Sequence, residues 1–206
     1  MPDPHLIRSP NADSRPDGSV PELIVIHAIS LPPERFGGSG VEQLFTNRLD
    51  PSGHPYYAQI HTLRVSAHYF IRRTGALICF VPPELRAWHA GVSMWRGRER
   101  CNDFSIGIEL EGCDTLPFEA VQYAVLAGLI ADLCVRFPIA GITGHSHIAP
   151  GRKTDPGPRF SWARLRQLLS DAGQGEVASR IEPDGWGSDD DELLVAWPFP
   201  VGARPA

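Results

Sequence analysis

Leu23-Ile24-Val25-Ile26-His27-Ala28-Ile29-Ser30 is a short apolar run, rich in β-branched residues and interrupted by one imidazole. Its length and composition predict a strand covered on both faces. A second segment, Phe104-Ser105-Ile106-Gly107-Ile108-Glu109-Leu110-Glu111-Gly112, alternates instead. Phe104, Ile106, Ile108 and Leu110 fall on one face and Ser105, Gly107, Glu109 and Glu111 on the other, which predicts a strand that buries one side and presents carboxylates on the opposite one. The stretch from Ser66 to Pro83 reads as two strands turned at Thr74-Gly75, a hairpin.

Between these strands lie helical patterns. Residues 41 to 49 form a short helical candidate, whereas 50 to 63, DPSGHPYYAQIHTL, read as a long polar-aromatic loop of the kind that shapes binding sites. Thr115 is a candidate N-cap and Pro117 a first-turn residue for a helix running to Phe137, with apolar residues at 121, 125, 129 and 133. A short strand, GITGH, ends at His145, and FSWARLRQLLSDAG is an amphipathic helix stopped by Gly173. A hairpin among otherwise separated strands, alternating with helices, indicates an α/β domain on a mixed central sheet.

A chain of 206 residues with 42% apolar content can bury a core of its own. The pattern assigns 1–20 to an irregular lead-in, 21–171 to the domain, and 172–206 to a mobile acidic tail, with a docked segment around LLVAWPF. The net charge of -5 and the lack of a dense Lys/Arg stripe exclude a phosphate-neutralising surface, so nucleic acid is not an expected partner. The N-terminal stretch is Pro-rich without an apolar run, neither secretory signal nor membrane span, which points to a cytoplasmic protein without a membrane partner. Cys79, Cys101, Cys113 and Cys134 form no C-x-x-C pair and read as small buried residues in a reducing compartment.

The chemistry-bearing residues cluster in Ile142–Pro158, ITGHSHIAPGRKTDPGP, where two histidines, a lysine and an aspartate sit among glycines and prolines that oppose regular structure. His27 lies in an apolar strand, where an imidazole must be hydrogen-bonded, neutral or metal-bound. With His145 and Asp155 it would supply two imidazoles and a carboxylate, a donor set that suits zinc and leaves a fourth position for water. Spacing alone leaves two alternatives open: a satisfied core histidine at 27, and His147 in place of His145.

The segments VIHAISLPPERFGG, HPYYAQI, LRVSAHYFIRR, RAWHAGVS, GRERCNDFSIGIELEG and TGHSHIAPGRKTDPGP resemble, in order and spacing, the AmpD-type anhydro-N-acetylmuramoyl-L-alanine amidases of bacterial cell-wall recycling, over about residues 20 to 170. The resemblance implies a zinc amidase of the class that includes peptidoglycan-recognition proteins, with one Zn²⁺ per chain in a surface cleft. It implies His27, His145 and Asp155 as ligands, Glu109 as the catalytic carboxylate and Lys153 as the catalytic lysine. Tyr56, Arg64, Trp88 and Arg100 stand in segments that line the cleft of such enzymes, where aromatic faces and guanidinium forks suit a muropeptide. Related enzymes carry asparagine where this chain has Ala28, which removes one hydrogen-bond donor from the sugar site. His68 is assigned to packing, Glu111 to structure, and His147 to a supporting or exposed role. The expected reaction is hydrolysis of the amide between the lactyl group of 1,6-anhydro-N-acetylmuramic acid and L-alanine, by a monomer acting on anhydromuropeptide. Two rivals are an endolysin-like amidase acting on intact peptidoglycan and a non-catalytic muropeptide-binding module.

Overall fold

The computed structural model describes residues 3–182. Its centre is a six-stranded sheet built from β1 (His5–Leu6), β3 (Leu23–Ile29), β4 (Tyr69–Ile71), β5 (Leu77–Cys79), β9 (Ser105–Glu111) and β10 (Gly141–Gly144), in the order β1-β5-β4-β9-β3-β10. Strands β4, β9, β3 and β10 run parallel, while β4 and β5 pair antiparallel as a hairpin turned at Gly75, whose φ of +83° is a left-handed conformation that glycine adopts without strain. The mixed sheet expected from the sequence is therefore present. Two small ribbons stand beside it: β2 (Ala12–Ser14) with β6 (Leu85–Ala87), and β7 (Met94–Trp95) with β8 (Arg98–Glu99).

One face of the sheet is purely apolar. Ile24 and Ile26 of β3, Ile106, Ile108 and Leu110 of β9, and Tyr69 and Ile71 of β4 pack on α3 (Ala120–Arg136) and α5 (Trp162–Asp171), contributing Leu126, Leu129, Ile130, Leu133, Leu165 and Leu169. Each such side chain stabilises the fold by about 1.5–3 kcal/mol relative to exposure. Helix α3 starts one turn later than Thr115 suggested. Glu119 is the cap, in a reciprocal capping box with Gln122, whose amide also reaches the carbonyls of Ile71 and Glu111.

The other face is divided, and the division makes the site. Phe70 and Ile78 join α1 (Gly40–Phe45) in one apolar cluster, and Leu23 and Val25 join Ala90, Cys101, Phe104 and Ile148 in another. Between them the same face carries His27, Gly107 and Glu109.

Four features differ from the sequence reading. Strand β9 is buried on both sides, because it lies between β4 and β3 with elements over each face, so Glu109 and Glu111 are not solvated. The polar-aromatic stretch after Asp50 contains α2 (Pro55–Ile60), capped by the His54 imidazole accepting from the Tyr56 N–H, with Pro55 in the first turn. The lead-in holds β1 and β2, which gain order only by pairing with strands some 70 residues later. Past Asp171 the chain continues through α6 (Gly175–Ala178), and Ile181 bridges to Ile142 of β10. The rest of the acidic tail, with the segment around LLVAWPF, lies outside the described residues.

Candidate metal centre

His27 sits near the end of β3, and β10, parallel to β3 with Gly144 opposite Ile26, delivers the next residue, His145, to the same place. His145 opens the single helical turn α4 (His145–Ile148) and is followed by a tight loop that returns Asp155 to it: the Ser146 N–H donates to the Asp155 carbonyl at 2.9 Å, and the Lys153 N–H to Ala149 O at 3.1 Å. Three donor atoms thereby converge. His27 Nδ1 lies 3.0 Å from His145 Nδ1 and 2.9 Å from Asp155 Oδ2, and His145 Nδ1 lies 3.1 Å from that same oxygen.

The protonation of this triangle fits a cation. His145 Nε2 is 3.1 Å from the Ala90 carbonyl and Nδ1 is 3.1 Å from Asp155 Oδ2, and both oxygens only accept; with an ion rather than a proton between Nδ1 and the carboxylate, the ring proton sits on Nε2 and the Nδ1 lone pair faces the other two donors. Burial first, then the neighbouring His145, pushes the pKa of His27 down to about 4, which keeps it neutral. Burial raises the Asp155 carboxyl, but the contacts with His145 and His27 outweigh it and hold the group below the ordinary carboxylate range. Two imidazole nitrogens and one carboxylate oxygen converge on a common point, each about 3 Å from the others, and with both Nδ1 atoms free of protons they form a donor set for zinc. His147 is not part of it: its ring lies 6.3 Å from that of Trp162.

Glu109 is paired with His27 across β3 and β9 and shares its face. It is 8% exposed, and its Oε2 has no hydrogen-bond partner. Burial, then the charge of Asp155, pushes its pKa well above the usual carboxylate value, against a smaller opposing effect of Lys153. Lys153 is exposed at the mouth, lining a cavity of about 200 Å³ together with Arg64, Trp88, His89, His145 and Arg152. Arg64 and Trp88 thus reach the site. Tyr56 packs in α2 against the cluster around α1, and Arg100, 71% exposed, pairs with Asp103 at 3.2 Å, so neither is among the residues lining this cavity. A larger groove of about 340 Å³ between α3 and α5 carries no titratable side chain.

Of the residues assigned to structure, His68 is a satisfied core histidine: Nδ1 accepts from the Gly107 N–H and Nε2 reaches the Leu85 carbonyl. Glu111 accepts from the N–H groups of Gly37 and Arg73 and from the Arg72 guanidinium, tying two loops to the end of β9. The sequence reading missed His89, whose Nδ1 lies 2.9 Å from His27 Nε2, and Asn102, which holds its backbone. The signal for His89 is Gly107, the small residue on the polar face of β9 that leaves space for a ring.

The sequence profile of the N-acetylmuramoyl-L-alanine amidase family matches residues 17–158. The chain is 54% identical over 173 residues to the 1,6-anhydro-N-acetylmuramyl-L-alanine amidase AmpD of Citrobacter freundii, covering 83% of this chain and 92% of that one. It superposes on a crystal structure of a selenomethionine AmpD derivative with TM-score 0.79 at 56% identity, covering 82% and 95% of the two chains. It also resembles AmiD of Escherichia coli, solved with the substrate anhydro-N-acetylmuramic acid-L-Ala-D-gamma-Glu-L-Lys, with TM-score 0.55 at 32% identity, covering 75% and 60%.

Proposed function

The chain belongs to the N-acetylmuramoyl-L-alanine amidase family, and from that membership we propose that it hydrolyses the amide between the lactyl group of 1,6-anhydro-N-acetylmuramic acid and L-alanine in cytoplasmic muropeptides, using one zinc ion held by His27, His145 and Asp155. The observation that carries the reading is the convergence of His27 Nδ1, His145 Nδ1 and Asp155 Oδ2, in a chain more than half identical to a curated AmpD over most of its length.

Zinc bound there would supply a Lewis acid for the amide carbonyl and lower the pKa of water to about 7. The protein's own groups do the rest. Glu109 stands beside His27 with a free carboxyl oxygen and a raised pKa, the properties of a group that accepts a proton from attacking water and returns it to the departing amine of L-alanine. Lys153 holds an ammonium at the cleft mouth, where it stabilises negative charge developing on the carbonyl oxygen. Arg64 and Trp88, on the same cavity wall, offer a guanidinium to peptide carboxylates and an indole to the sugar face. Ala28, where relatives carry asparagine, packs against the apolar cluster of α3 and α5 and offers no polar group.

The test is hydrolysis of a defined anhydromuropeptide, with and without chelator, beside release of peptide from purified sacculi. Chelator-sensitive turnover of the soluble fragment is expected. Cleavage of sacculi alone would replace the substrate by intact peptidoglycan, and binding without turnover would make the chain a recognition module.

A further inference from the structure

We infer that His89 and Ala90, two consecutive residues clipped to the Asn102 side chain, act as positioning residues that set which ring nitrogen each ligating histidine presents. The inference rests on the metal reading above and concerns residues that do not themselves hold the ion.

The hydrogen bonds run in one direction only. Cys101 O accepts and cannot donate, so the Ser105 hydroxyl, 2.5 Å away, donates its single proton there. Ser105 Oγ is then left with lone pairs facing His89 Nε2 at 3.1 Å, and the ring must place its proton on that nitrogen. His89 Nδ1 is consequently an acceptor, 2.9 Å from His27 Nε2, which therefore carries the His27 proton and leaves Nδ1 bare towards His145 and Asp155. The next residue is placed to perform the same task for the other imidazole, since the Ala90 carbonyl lies 3.1 Å from His145 Nε2 and accepts its proton when Nδ1 is given to the ion. Both residues are set by one amide oxygen: Asn102 Oδ1 accepts from the N–H of His89 at 3.1 Å and of Ala90 at 2.8 Å. Arg152 adds a further donor to Ala90 O at 2.7 Å.

Gly107 makes the arrangement possible. A Cβ at this position would clash with the His89 ring, 2.4 Å from its Cγ, so the polar face of β9 reads as a device: Ser105 orients the ring, Gly107 admits it, and Glu109 faces the reaction.

Two measurements test this. In the zinc-loaded wild-type protein, long-range proton–nitrogen NMR of the imidazoles should find the proton of His27, His89 and His145 on Nε2. A His89 proton on Nδ1 would overturn the inference. Zinc affinity, read by competition with a chromophoric chelator, should fall about 10- to 100-fold in Ser105→Ala and in Asn102→Ala, and return in Ser105→Thr, which restores the hydroxyl. Unchanged affinity in folded Ser105→Ala would refute the relay while leaving the metal centre intact, whereas a wild-type protein that takes up no zinc would refute both. Should Ser105→Ala fail to fold, the wild-type ring spectrum decides.

Discussion

His27 and Glu109 occupy paired positions on two parallel strands, so a metal-ligand candidate and a buried carboxyl leave the same face of the sheet side by side. The pairing is a matter of backbone register, and it sets the first expectation.

Glu109→Gln should retain zinc and lose about 100- to 10,000-fold in kcat. It should also change stability in a pH-dependent way in the metal-free protein. A carboxyl whose folded pKa lies above its unfolded value of about 4.5 keeps its proton better when folded, so the wild-type chain loses stability as pH rises from that value towards the folded pKa. Glutamine carries no such penalty. Denaturation in chelator should find the variant more stable than wild type above pH 4.5, with the gap closing below it. A pH-independent gap would contradict the burial of an ionisable group here.

His145→Ala should lose both bound zinc and activity. In the wild type, zinc at 100 times its dissociation constant adds about 2.7 kcal/mol, a rise in Tm of roughly 5–10 °C for a domain of this size. The variant should melt at the same temperature with or without zinc. Elemental analysis and paired melting scans check this.

Lys153→Ala should keep one zinc per chain and its Tm, because the side chain is exposed, while kcat drops about 100- to 1000-fold, or roughly 3–4 kcal/mol. Normal turnover would remove the lysine from the reaction.

Leu126→Ala, in the fully buried face of α3, should cost about 2–5 kcal/mol. Since Leu126 packs on the side of the sheet away from the metal-site candidates, the zinc content of the folded variant should stay at that of wild type. Urea denaturation together with metal analysis would separate the two faces.

Periodicity and turn chemistry exposed much of this fold. The β-branched run of β3, the alternation of β9, the Thr74-Gly75 turn and the apolar pattern of α3 are local, and each became the expected element, although α3 buries Leu126, Leu129, Ile130 and Leu133 and leaves Val121 exposed. What pattern could not reach depends on partners distant in the chain. β1 and β2 have no periodicity to announce them, and the alternation of β9 gives no sign that Glu109 is buried on its own face. The site was legible as a set of residue types in ITGHSHIAPGRKTDPGP; spacing alone left His147 beside His145, the resemblance implied His145, and the register of β10 on β3 is what carries that residue to His27. His89 was invisible as a neighbour of His27, 62 positions away, because nothing local links a loop imidazole to a glycine in a strand.

The two imidazoles that meet at 3.0 Å are 118 positions apart, and they are neighbours only once β10 has docked beside β3. On the metal reading proposed above, a polypeptide still emerging from the ribosome that ends before β10 carries one imidazole of the pair and has nothing to close the site with. Cation capture would thus act as a completion signal, and half-made copies would stay chemically inert however much zinc surrounds them.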